Sequence, residues 1–198
     1  MRIGCVLMAA GDSSRFGENK LLLPYRGRPV YVCAMDAIPV ERLDCVAVVS
    51  GTEEALTEAA ARGFTAVRND RPRDGVSRTI RLGLDAIGDV DAALFMVADQ
   101  PALTKESVAR LLAMQQTHPG CILRMAYDER LGNPVCFPGK YFGELRALTG
   151  DTGGGKVAKA HPDAVRACNA LHPWELLDID SPEALRRLCE ATHAYDLQ

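Results

Sequence analysis

The chain has 198 residues, 47% of them hydrophobic and 25% charged, with a formal net charge of −3 at pH 7. These proportions suit one α/β domain of ordinary size spanning residues 1–198. They exclude a surface that neutralises nucleic-acid phosphates with clustered Lys and Arg.

The first apolar run, residues 3–8, predicts a buried strand; it is too short and too poorly flanked for a signal peptide. Further strands are predicted at 44–50, 92–98, 121–126 and 135–137, with less marked ones at 64–67 and 165–168. Continuous apolar runs, rather than alternation, imply strands covered on both faces. Between them, Thr52 is placed to cap a helix through residue 62, with Glu53 and Glu54 in its first turn. Thr104 is placed to cap another through residue 116, with Leu103, Val108, Leu111, Leu112 and Gln115 spaced for amphipathic packing. Ser181-Pro182-Glu183 starts a last helix to about residue 191. The β–α alternation predicts an open, mostly parallel sheet with helices on both faces, whose ligands bind beyond the carboxyl ends of the strands. No run approaches the roughly 18 apolar residues of a membrane span. The seven cysteines include no C-x-x-C pair and read as buried, reduced thiols of a cytoplasmic protein.

The segment after the first strand carries the strongest chemical signal. Small residues and Gly11 let the backbone approach a ligand, Ser13 and Ser14 add hydroxyl donors, Arg15 offers a planar fork and Lys20 a mobile point charge. Two cations and a Gly-bearing loop suit a triphosphate; a solvated loop with ordinary surface charges fits the same residues. The spacing matches neither the P-loop nor the dinucleotide fingerprint, which removes support for both classes. Asp99 ends the strand at 92–98, where a carboxylate needs a partner. Magnesium takes one or two carboxylates plus substrate phosphates, which suits Asp99; a turn-capping Asp before Pro101 is the other reading. Gly75 precedes a helix start, and helix N-termini attract anions.

Residues 7–24, L-M-A-A-G-D-S-S-R-F-G-E-N-K-L-L-L-P, resemble the signature of the molybdenum-cofactor nucleotidyltransferases, the MobA/MocA-like family, departing at Phe16, where Met is usual. Residues 69–82 resemble that family's segment beside the nucleotide. Gly75, Ser77 and Thr79 match in kind, and Arg78 replaces a small residue, either to contact a phosphate or to point outward. Asp99-Gln100-Pro101 resembles its magnesium-binding triplet, 132–137 its G-x-P-V-x-F strand start and 150–156 its G-D-x-G-A-R segment, with Gly155 where the family has Arg. Asp178-Ile179-Asp180 resembles its tail before the last helix, where Asp180 reads as a turn residue, or Asp178 or Asp180 as a second metal ligand.

The resemblance implies a Rossmann-like nucleotidyltransferase domain with magnesium as cofactor. Arg15 and Lys20 would hold the β,γ-phosphates, and Ala9, Ala10, Gly11, Ser13, Ser14, Asn69, Gly75 and Ser77 would surround the nucleotide. Asp99 and Asp180 would bind the metal, and Asn133, Asp151, Gly153 and Lys156 the acceptor. The implied acceptor is a molybdopterin-type phosphate, and the implied recipient of the product a molybdenum hydroxylase. Ala10 stands where the guanylyl-transferring branch carries Gly and the cytidylyl branch Ala, which implies CTP as the NTP. A same-fold transferase acting on a sugar or polyol phosphate, and a noncatalytic pterin-nucleotide chaperone, are the rivals.

Overall fold

The computed structural model describes residues 1–10 and 19–196, with side chains through His193. In chain order the elements are β1 (Ile3–Ala9), β2 (Pro24–Tyr25), β3 (Arg28–Pro29), α1 (Val30–Asp36), β4 (Cys45–Ser50), α2 (Glu53–Ala61), β5 (Thr65–Arg68), α3 (Val76–Ile87), β6 (Ala92–Val97), α4 (Lys105–Thr117), β7 (Ile122–Tyr127), β8 (Arg130–Pro138), α5 (Phe142–Arg146), α6 (Gly155–Ala160), β9 (Val165–Asn169) and α7 (Pro182–Asp196). Seven strands form one sheet in the order β5-β4-β1-β6-β8-β7-β9, and β2 and β3 form a separate small hairpin.

All neighbours in the main sheet pair in parallel except β8, which is antiparallel to both β6 and β7. The cause is the connection: Tyr127 pairs with Arg130, so only two residues turn the chain, and Asp128 takes a φ of 52° there. A two-residue turn closes a hairpin but cannot carry a parallel crossover. The short strand predicted at 135–137 lies in the carboxyl half of this longer one.

Alternate side chains of each inner strand feed two cores. Cys5, Leu7, Val48, Leu94 and Met96 pack beneath α1, α2, α4 and α7. Val6, Ala47, Val49, Phe95, Val135 and Phe137 pack beneath α3, α5 and α6. The continuous apolar runs arise because both faces are covered. Gly83 lets α3 lie close to β1; a Cβ there would fall 2.3 Å from Val6 Cγ1. Thr104 Oγ1 accepts from the Ser107 N–H and Ser181 Oγ from the Ala184 N–H, as capping requires. Thr52 makes no such cap to α2; its hydroxyl accepts from Asn19 Nδ2 instead, at 2.9 Å.

Among the described residues no helix is long and apolar enough to cross a membrane. All seven cysteines are free. Burial pushes the thiols of Cys5 and Cys136 far above the usual range, which leaves them protonated and inert.

Candidate active site

The parallel register aligns three strand ends on one edge of the sheet: Ala9 pairs with Ser50, and Met8 with Val97. From β1 the chain steps outward to β4 and β5, then returns to the other side of β1 as β6. The order therefore reverses between β1 and β6, where open α/β sheets form their ligand crevice. Lys20 follows β1 and Asp99 follows β6, so the two flank this switch point.

There they meet. Lys20 Nζ lies 2.6 Å from Asp99 Oδ2 and 3.4 Å from Asp180 Oδ1. Asp180 reaches the site because its segment is strapped to the end of β6. The Ile179 N–H donates to the Asp99 carbonyl at 2.9 Å, and Gln100 Nε2 donates to Asp178 Oδ1 at 2.9 Å. Asp178 is thereby held beside the Lys20–Asp99 pair, within reach of its charges. Burial, then the Asp99 charge, raises its pKa above the ordinary Asp range, while the Gln100 hydrogen bond opposes the rise.

Lys20 is positioned by a relay of polar groups. Ser50 Oγ donates to the Ala9 carbonyl and accepts from the Thr52 N–H, both at 3.0 Å. Asn19 donates to Thr52 Oγ1, and Asn19 Oδ1 accepts from the Leu21 N–H at 3.1 Å. The end of β4 is thereby tied to both sides of Lys20. Asn19, Ser50, Thr52 and Gln100 have no place in the sequence reading as site residues. Asn19 and Gln100 lay inside the family-like motifs without an assigned role, and Ser50 and Thr52 were signalled only by their place at the end of a strand.

The second expected nucleotide segment starts at Asn69, which is 1% exposed. Asn69 Nδ2 donates to Thr79 Oγ1 at 3.1 Å, and Oδ1 accepts from the Arg71 N–H and from Arg78 Nε. Arg78 turns back on this network and pairs with Asp70 at 2.5 Å, rather than pointing outward. The Arg78 hydrogen bond lowers the Asp70 pKa. Gly75 takes a φ of +87°, and a Cβ on it would lie 2.2 Å from the Gly150 carbonyl carbon. The Ser77 N–H donates to the Gly150 carbonyl at 3.2 Å and the Val76 N–H to Asp151 Oδ1 at 3.4 Å. The segments expected at the nucleotide and at the acceptor are therefore docked backbone to backbone. Among the described residues Ser77 Oγ is buried without a hydrogen-bond partner.

Asn133 lies on β8, two residues toward the carboxyl edge of β6 from the Val135–Phe95 pair. A Cβ on Gly153 would sit 3.7 Å from Val76 Cγ1, and Lys156 is exposed in the first turn of α6. Ala9 is buried and Ala10 half-buried where β1 ends. Gly11, Ser13, Ser14 and Arg15 lie outside the described residues.

Among the described residues no three His, Cys, Asp or Glu groups cluster to hold a metal by themselves. Magnesium does not need such a cage, because it keeps waters and takes one or two carboxylates with substrate phosphates. Asp99 and Asp180, which both pair with Lys20, fit that requirement.

The family model of the MobA-like NTP transferase domain matches residues 5–165. The purine catabolism protein PucB of Bacillus subtilis (strain 168) is 29% identical over 196 residues, covering 90% of this chain and 91% of its own. The molybdenum cofactor guanylyltransferase of Xanthomonas euvesicatoria pv. vesicatoria (strain 85-10) is 23% identical over 131 residues, covering 66% of this chain and 61% of its own. Among solved structures, the manganese complex of Rv0371c from Mycobacterium tuberculosis H37Rv is 27% identical with a TM-score of 0.76, covering 96% of this chain and 100% of its own.

Proposed function

The chain belongs to the MobA-like NTP transferase family, and from that premise we propose that it transfers CMP from CTP to the terminal phosphate of a molybdopterin-type acceptor. The observation that carries the reading is the Lys20 ammonium held between Asp99 and Asp180 at the β1/β6 switch point. It is a cation poised where a triphosphate enters, beside carboxylates that suit a divalent ion. An acceptor phosphate oxygen attacks the α-phosphorus, the bond to the bridging oxygen breaks, and pyrophosphate leaves. The nucleophile is already anionic, so no strong general base is required. Positioning and charge neutralisation carry the rate. Lys20 and Arg15 meet the charge of the departing pyrophosphate, and Asn69, Gly75 and Ser77 shape the wall beside the nucleotide. Asn133, Asp151, Gly153 and Lys156 border the acceptor.

Asp99 and Asp180 are the residues that would hold magnesium, which supplies further charge neutralisation at the phosphates. The manganese bound by Rv0371c supports a divalent ion in this fold. The guanylyltransferase name of one relative supports a molybdenum-cofactor acceptor and makes GTP the competing nucleotide. In this reading a molybdenum hydroxylase receives the product, as the family resemblance implies.

A pyrophosphate-release screen tests the proposal, with the four NTPs offered against purified molybdopterin, a sugar phosphate and a polyol phosphate. Release with CTP and molybdopterin is expected. Release only with a sugar or polyol phosphate would move the acceptor. Tight binding of a pterin nucleotide without any release would make the protein a carrier.

A further inference from the structure

Arg124 is a cation inside a strand that otherwise reads as core. It pairs with Val135 across β7 and β8. Ile122, two residues earlier, and Val135 both belong to the core beneath α3, α5 and α6, whereas Leu123 and Met125 belong to the opposite one. Arg124 therefore projects toward the face that α6 covers with Val157 and Ala158, directly after the Gly153–Lys156 stretch. Its Nη2 donates to the Gly132 carbonyl at 3.4 Å. Gly132 lies three residues before Val135 on the antiparallel strand, so the guanidinium leans toward the sheet edge that carries Asp99 and Lys20.

Its surroundings leave the charge unmatched. Among the described residues Arg124 Nε is buried with no hydrogen-bond partner and no carboxylate pairs with the side chain. The comparably buried Arg62 and Arg78 each hold acids: Asp36 and Glu58 for the first, Asp70 for the second. Burial lowers the Arg124 pKa, yet a guanidinium stays charged at neutral pH. A partly desolvated cation without an anion is a cost to the free protein. A planar fork with spare donors is also what a phosphate recognises best.

We propose that Arg124 is the anion receptor of the acceptor pocket, binding a phosphate group of the acceptor through its unpaired guanidinium edge. The inference rests on the transferase reading above and adds to it a residue that discriminates the acceptor from the NTP. The position of Arg124 on β7, beyond β8 from Asp99, assigns it to the acceptor rather than to the leaving pyrophosphate.

The test compares wild type with Arg124→Met and Arg124→Lys. Arg124→Met should melt no lower than wild type without ligand and lose most of the stabilisation that inorganic phosphate gives wild type. In pyrophosphate-release kinetics its KM for the acceptor should rise roughly 10- to 100-fold, the range for losing a charge-assisted contact. Its KM for the NTP should stay within about twofold. Arg124→Lys, which keeps the charge but not the fork, should fall between the two and covers the case in which the Met variant does not fold. A lower melting temperature with unchanged acceptor KM and unchanged phosphate stabilisation would make Arg124 structural and overturn the proposal. A rise in NTP KM or weaker pyrophosphate inhibition, with acceptor KM unchanged, would overturn the assignment to the acceptor. If wild type turns over none of the acceptors, the transferase reading fails, and the phosphate melting comparison alone decides Arg124.

Discussion

Lys20→Met removes the cation at the switch point while keeping most of the side chain's volume. Lys20 and Asp99 are 14% and 23% exposed at a separation of 2.6 Å, whereas Asp180 is 69% exposed at 3.4 Å. At an effective dielectric constant near 20, an ion pair at 2.6 Å attracts by about 6 kcal/mol. Desolvation of two largely buried groups offsets most of that, leaving about 1.5–3 kcal/mol for a charge-assisted hydrogen bond. The Asp180 contact adds little, because solvent screens it. Urea unfolding should therefore show Lys20→Met destabilised by about 2 kcal/mol. A double-mutant cycle with Asp99→Asn should return a coupling of about 1.5–3 kcal/mol. Turnover at saturating NTP should fall by about 100-fold or more, as for the loss of one transition-state donor. A coupling below about 0.5 kcal/mol would mean that the pair behaves as surface ions do. Turnover within a few-fold of wild type would remove Lys20 from the leaving-group site.

Asp178→Asn should be more stable than wild type at pH 7. The folded pKa of Asp178 is raised, so its protonated form stabilises the fold fully below the ordinary value of 3.8 and loses that effect as pH rises through the folded value. Urea midpoints of the two proteins should converge near that lower pH, and a mutant weaker at pH 7 would refute the reasoning. Gly75→Ala must place a Cβ at φ +87° against the Gly150 backbone, and should cost about 2–4 kcal/mol in chemical denaturation. A loss under about 1 kcal/mol would show that the two segments part easily. Ala10→Gly should relax a wild-type preference for CTP over GTP that a methyl's worth of overpacking sets at roughly 5- to 150-fold. Competition of the two nucleotides in one assay measures this, and a wild type that prefers GTP sinks the assignment.

The strands were legible because each central one is covered on both faces, so burial writes an unbroken apolar run. By apolar pattern the first half of β8 was not, and only the resemblance at 132–137 marked a strand start there. Residues 130–134 read R-L-G-N-P, a loop by composition, because exposure rises from buried Pro134 to exposed Leu131 and Arg130 as they run toward the carboxyl edge. Thr52 has the residue type and position of an N-cap, yet a tertiary contact from Asn19 takes its hydroxyl. The residues that position Lys20 and Asp180 act over separations of 33, 41 and 78 positions, at Asn19–Thr52, Ser50–Ala9 and Gln100–Asp178. No local pattern encodes such contacts. Arg124 did leave a signal, a lone cation in an otherwise apolar strand.

The docking of Gly75 and Ser77 on Gly150 and Asp151 constrains how anions can be bound. The first N–H groups of α3 are already engaged, at Val76 by the Asp151 carboxylate and at Ser77 by the Gly150 carbonyl. That helix end offers little to a triphosphate, and a carboxylate there repels one. Among the described residues, phosphate charge is then met by side chains. In-line displacement needs the entering and leaving oxygens on opposite sides of the α-phosphorus. Lys20, beside the end of β6, and Arg124, on β7, lie two strand spacings apart with β8 between them, a lateral distance of roughly 10 Å. An α-phosphorus above β8 would have a cation on either side. Lys20 would draw the pyrophosphate away as Arg124 holds the incoming phosphate, and in that geometry the two substitutions separate: Lys20→Met acts on turnover, Arg124→Met on acceptor KM.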